Sequence, residues 1–120
     1  MINQTQQQIL NDFHGTTQYY NGFMNVKYTD GVYFVMENNA SWLVTDISVI
    51  VKSESCSKEE FVAVNFKVNE DNTAKVIYTD GNNKQLYTQS YGYTDFKKHF
   101  KENEVTFYYT DGVLMLSGEY

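Results

Sequence analysis

Phe61-Val62-Ala63-Val64-Asn65-Phe66-Lys67-Val68 is the stretch on which the fold turns. Val62, Val64, Phe66 and Val68 alternate with Ala63, Asn65 and Lys67, the period of two that marks a half-buried strand. The same grammar continues downstream. Asn69-Glu70-Asp71-Asn72 is a turn, Thr73 to Tyr78 a second strand, Asp80-Gly81-Asn82-Asn83 another turn, and Lys84 to Tyr91 runs back. Gly92 breaks that strand, and Asp95 is expected to cap one or two helical turns through Phe96 to Phe100. Glu104 to Tyr109 and Val113 to Leu116 then form a hairpin. Its Asp111-Gly112 loop fits a type I′ turn, because both residues tolerate positive φ.

The phrase Tyr-Thr-Asp-Gly occurs three times, beginning at Tyr28, Tyr78 and Tyr109, with a partial copy at Tyr93-Thr94-Asp95. The copies are 50 and then 31 residues apart (78 − 28 and 109 − 78), which excludes a repeat of fixed period. They are expected to be the acidic reversals that join short elements.

Upstream of Phe61 the period changes. Ser41 opens the clearest helix: Leu43, Ile47, Ile50 and Val51 fall at i, i+4, i+7 and i+8, one buried stripe. Trp42 lies beside the stripe, and Asp46, Ser48 and Lys52 fall on the other side. Thr5 to Phe13 reads as a first helix, with Thr5 and Gln8 as a capping box and His14-Gly15 as its end. Phe23 to Lys27 reads as a short strand. Val32 to Met36 fits two structures, the return strand of a hairpin or a helix capped by Thr29 or Asp30 and ending at Asn38-Asn39. Helices followed by a run of strands give the α+β class: N-terminal helices on one face of an antiparallel sheet of about 4–6 strands joined by Asp-Gly turns.

The 120 residues make one domain, 1–120, with 42% hydrophobic and 17% aromatic content, too apolar for a disordered chain. The single Cys56 has no internal partner, no stretch approaches the ~20 apolar residues of a membrane span, and Met1 to Leu10 carries no basic residue. A cytoplasmic location and no membrane partner are therefore expected. All 9 basic residues are lysine against 15 acidic ones, a net charge of −6. Without arginine forks, and with repulsion from phosphate, direct nucleic-acid binding is not expected. A basic protein surface is attracted instead.

Three stretches resemble a family of small uncharacterised bacterial and phage proteins. They are Leu10-Asn11-Asp12-Phe13-His14-Gly15-Thr16-Thr17-Gln18-Tyr19-Tyr20, Tyr28-Thr29-Asp30-Gly31-Val32-Tyr33-Phe34 and Ala40-Ser41-Trp42-Leu43, and the tail from Tyr109 to Tyr120 looks similar too. In such relatives the segment after the first Thr-Asp-Gly reads as helical, and the resemblance implies a helix over Val32 to Asn38. This chain is richer there in β-branched and aromatic residues. The family has no assigned activity, so the resemblance transfers no catalytic residues. It implies a phage or mobile-element accessory protein, a context in which small acidic proteins are often inhibitors of host defence.

Catalytic motifs are absent. Cys56 sits in the polar loop Ser53 to Ser57, far in sequence from His14 and His99, and these three residues show no zinc-ligand spacing. Glu70-Asp71-Asn72 and Asp80-Gly81-Asn82-Asn83 lack the glutamate that would close a calcium loop, and no glycine is followed by Lys-Ser/Thr. Neither a cofactor nor a metal is expected. What remains is surface: Asp71, Asp80, Asp95 and Asp111 at the turns, among Tyr78, Tyr91, Tyr93, Tyr108 and Tyr109. Aromatic anchors rimmed by charge are the substance of a protein-binding patch. The expected function is a non-enzymatic binding protein that blocks a basic site on a host protein or nucleoprotein complex, as anti-CRISPR proteins do. One alternative is a small enzyme or ligand-binding domain with a pocket lined by Trp42, Tyr19, Tyr20 and His14. The other is a self-associating module, a possible homodimer, in which an edge strand such as the terminal hairpin pairs with its copy.

Overall fold

The computed structural model describes residues 19–120. The helix expected over Thr5 to Phe13, with His14, lies outside them. Two short strands come first, β1 (Tyr20–Asn21) and β2 (Lys27–Tyr28), separated by a 3₁₀ turn at Phe23–Asn25. A single interrupted helical run follows: α1 (Asp30–Val35), a π-helical turn (Met36–Ala40) and α2 (Ser41–Val51). The rest is β3 (Phe61–Val68), β4 (Ala74–Thr79), β5 (Gln85–Tyr91), the short α3 (Phe96–His99), β6 (Glu104–Thr110) and β7 (Val113–Leu116). The class is α+β. Among the described residues no helix is long and apolar enough to cross a membrane.

The sheet differs from the expected one in three ways. It has seven strands in the order β1-β2-β7-β6-β3-β4-β5, and it is mixed, because β2 lies parallel to β7. The parallel pair arises because the chain leaves β2 directly into a helix and returns to that edge only at its end. Strands, not helices, open the described chain. Thirdly, Asp-Gly is not the general strand connector. Asp30-Gly31 starts α1, because Thr29 is extended (φ −80, ψ 174) and its Oγ1 accepts a hydrogen bond from Val32 N. Segment Val32 to Asn38 is thus helical and kinked rather than a return strand. The β3–β4 turn uses Asn72 at φ 65, and Asp80-Gly81 belongs to a longer loop. Asp111 (φ 53) and Gly112 (φ 77) form the two-residue reversal between β6 and β7.

Parity decides burial as the pattern requires. Val62, Val64, Phe66 and Val68 are buried, and so are their partners Phe107 on β6 and Val76 and Tyr78 on β4. Leu43, Val44, Ile47 and Val51 of α2 join the same core. Ser48 is buried rather than on a polar face. Its Oγ donates to Val44 O (2.8 Å) and meets the buried Tyr28 hydroxyl at 2.6 Å, so the phenol tip is satisfied inside the core.

The start of α1 is held by the other end of the chain. Thr29 Oγ1 donates to Glu119 Oε1 (2.6 Å), Gly31 N to Oε2 (3.0 Å) and Leu116 N to Oε1 (3.0 Å). A carboxylate at a helix N-terminus satisfies donors that have no partner within the helix and opposes the dipole. Gly31 permits this approach, since a Cβ there would lie 2.6 Å from Glu119 Oε1.

Candidate functional site

The kink in the helical run builds the site. Asn38 (φ −109, ψ 42) and Asn39 (φ 76, ψ 20) leave helical geometry, and Asn38 Nδ2 donates to Phe34 O at 2.8 Å. Asparagine tolerates the left-handed region better than most residues. The turn carries Asn39 to α3, where its Nδ2 donates to His99 Nδ1 (3.3 Å). His99 Nε2 then donates to Asp95 Oδ2 (3.2 Å), one helical turn away. Asp95 is available for this because it does not cap α3 with its side chain, as the sequence had suggested. Thr94 Oγ1 accepts from Phe96 N (3.2 Å) instead. Phe96 stacks on Phe100 at 4.4 Å and meets Phe66 edge-on at 4.9 Å, which anchors α3 in the core.

The facing wall is aromatic. Trp42, at the start of α2, meets Tyr91 edge-to-face at 5.3 Å and Phe66 at 6.0 Å. Tyr91 donates its hydroxyl to Asp46 Oδ2 at 2.8 Å, and Asp46 lies one turn beyond Trp42 on the same helix face. Burial, then the bond to Asp46 and the charges of Asp46 and Tyr87, push the Tyr91 hydroxyl well above its ordinary pKa. Beyond Gly92, Tyr93 stands 62% exposed. Between these groups lies a cleft of about 250 Å³ lined by Trp42, Tyr91, Tyr93, Thr94 and Asp95. Pockets for whole small molecules run to roughly 300–1,000 Å³. This cleft is the size of one long side chain.

Of the residues singled out from sequence, Tyr91, Tyr93 and Asp95 meet at this cleft. The others do not. Tyr78 is fully buried, so its ring offers nothing to a partner. Among the described residues its hydroxyl has no hydrogen-bond partner, and burial above all raises its pKa. Asp71 accepts from Thr73 N (3.1 Å) and Thr73 Oγ1 (2.6 Å), bonds that hold its carboxyl below the ordinary range. Asp80 accepts from Asn82 N (2.9 Å) and Lys84 N (3.3 Å), so both aspartates order their own turns. Asp80 and Asp111 lie at the Phe61 end of the sheet, whereas Asp71 and Asp95 lie at the Val68 end. An eight-residue strand separates those ends by about 25 Å, too far for one patch. Tyr108 sits on the opposite sheet face beside Phe61 (5.0 Å) and Tyr120 (5.4 Å). Tyr109 packs against the core.

The pocket expected from Trp42, Tyr19, Tyr20 and His14 is not assembled from the residues described. Tyr20 stacks on Tyr33 (4.0 Å, 6°) at the β1 edge, Tyr19 is exposed, and Trp42 sits toward β5 at the other edge. Cys56 is buried, and desolvation, then the charge of Glu59, push its thiol up to about 11. That is the setting of an inert thiol. No group of His, Cys, Asp and Glu suited to a metal ion occurs among the described residues. The terminal hairpin is not an edge either, since β7 lies between β2 and β6.

Sequence reading missed Asp46, Asn39 and His99 as neighbours of the cleft. One signal was there: Trp42 and Asp46 are four apart on a helix, which puts an aromatic ring and a carboxylate on one face. The link from Asn39 to His99 has no local signature.

Fold and cleft together define a small α+β domain with an acid-rimmed aromatic recess near the β5 edge of its sheet. The chain belongs to a family of unknown function (DUF6876), whose profile matches residues 4–120. No curated protein and no solved structure matches it.

Proposed function

We propose that the protein is a non-enzymatic binding module that engages a basic surface of another protein through the Trp42–Tyr93 cleft. The observation that carries this reading is the positioned carboxylate of Asp95 beside three aromatic rings. Aromatic anchors next to a fixed charge supply both desolvated area and orientation. The net charge of −6 adds attraction to a cationic partner at longer range.

The main competitor is catalysis by the Asp95–His99 pair. A general base needs a lone pair facing substrate. Here Nδ1 of His99 accepts from Asn39 and Nε2 donates to Asp95, so both ring nitrogens are engaged. Engagement of both nitrogens supports reading the pair as one that orients a carboxylate.

In its finer form the reading is an accessory protein of a phage or mobile element, acting in the host cytoplasm, that occludes the basic site of a nucleic-acid-binding defence complex. An acidic surface competes with phosphate for such a site. The test is capture from a bacterial lysate, followed by a nucleic-acid-binding assay on whatever is recovered. A partner whose binding to nucleic acid falls as this protein is added supports the inhibitor reading. Recovery only of partners that bind no nucleic acid contradicts it.

A further inference from the structure

We infer that the occupant of the cleft is a single arginine side chain presented by the partner, an inference that rests on the protein-binding reading and makes it specific. Trp42, Tyr91 and Tyr93 line the cleft together with Asp95, so aromatic rings, whose faces carry the negative side of the quadrupole, stand beside a carboxylate-bearing residue. None of the lining residues is cationic. A planar guanidinium lies against a ring and forks to a carboxylate at the same time, and it is shed from water more readily than an ammonium.

The neighbouring bonds favour this use. Tyr91 has committed its hydroxyl to Asp46, so it presents ring rather than a donor. His99 takes Oδ2 of Asp95 and fixes the carboxylate, while a carboxylate retains acceptor capacity on both oxygens for an outside fork. His99 and Asn39 act here as positioning residues. The nearby Lys97 does not line the cleft, and its Nζ donates to Asn69 O at 3.4 Å. The volume of about 250 Å³ admits one long side chain but not a folded ligand of drug size.

Trp42 is the only tryptophan of the chain and lines the cleft, so its fluorescence reports occupancy directly. The purified full chain is titrated with N-acetyl-arginine amide, with the lysine analogue, and with the citrulline analogue, which has the shape of arginine without its charge. Saturable binding of the arginine probe in the millimolar range is expected, weaker binding of lysine, and no saturation with citrulline. Asp95→Asn should weaken the arginine probe about tenfold, and the exposed Tyr93→Ala about threefold, with unchanged far-UV circular dichroism. Equal or better binding of lysine, or saturation by citrulline, overturns the guanidinium assignment while leaving the binding reading to the capture experiment. No binding of any probe to the folded protein overturns the assignment as well. Loss of binding in Asp95→Asn alone, with altered folding, is resolved by Tyr93→Ala, whose unchanged affinity would also contradict the site.

Discussion

Glu119 shows how one side chain joins distant parts of this molecule. Its two carboxylate oxygens take three donors, from Thr29, Gly31 and Leu116, and so tie the last turn of the chain to the first turn of α1. Adding a methyl at Gly31 would place Cβ 2.6 Å from that carboxylate and equally close to Leu116 Cδ1. Gly31→Ala is therefore expected to cost about 1–3 kcal/mol, by displacing Glu119 and leaving helix donors unpaired. Glu119→Gln, which keeps the shape but loses the charge at the helix start, should cost less, about 0.5–1 kcal/mol. Denaturant melts of both variants check the order. Cys56 gives a second expectation at this scale. Its pKa in the folded protein is raised, from 9.0 to about 11, so above the lower value the unfolded chain loses a proton that the folded chain keeps. Its contribution is fully present below pH 9 and is lost as pH rises through about 11. Stability should fall across that interval, and Cys56→Ala should flatten its first part, below pH 10.0, above which Tyr78 and Tyr91, also raised by folding, add to the fall.

Among the elements, the β6–β7 reversal isolates a conformational effect from a packing effect. Asp111 and Gly112 both have positive φ, and a Cβ added at Gly112 would meet nothing within 4 Å. The cost of a Cβ at this position is then backbone strain rather than a clash. Gly112→Val should lose about 1–3 kcal/mol, visible as a drop of several degrees in Tm. Gly112→Asn should be much milder, because asparagine accepts the left-handed region. Equal melting curves would contradict the turn geometry. Elements of this kind were legible because their signals are local. The alternation in Phe61 to Val68 named the buried residues correctly, and the i, i+4 spacing of Leu43 and Ile47 named the helix face. Tyr28-Thr29-Asp30-Gly31 left a strand turn and a helix start both open, because the same residues serve the two equally well. The partner that settles the matter, Glu119, lies at the far end of the chain. The parallel pairing of β2 with β7 was hidden for a related reason: two-residue strands carry no period, and their register is set by the sheet they join.

At the scale of the whole molecule, topology decides which residues can act together. The sheet order places Tyr20 and Trp42 toward opposite edges and sends the aspartates to opposite ends, so of the aspartates and tyrosines chosen by type only Tyr91, Tyr93 and Asp95 meet. Tyr91, Tyr93 and Asp95 were legible because they are neighbours in sequence. Trp42, Asp46 and Asn39 reach them only through the kinked helical run, whereas His99 follows Asp95 by one helical turn. Binding of a cationic partner to a chain of charge −6 should weaken steeply between low and high salt, as the screening length falls from about 10 Å at 0.1 M to about 3 Å at 1 M. A salt-independent affinity would place the interaction elsewhere, on apolar surface such as the Phe61–Tyr108–Tyr120 face. The most direct measurement is an amide and indole NMR titration of the full chain with a short arginine-containing peptide. The expected result is shifts concentrated at the Trp42 indole, Tyr91 to Asp95 and His99. Shifts centred on Asp80 and Asp111, or on the Tyr108 face, would contradict the cleft as the binding site.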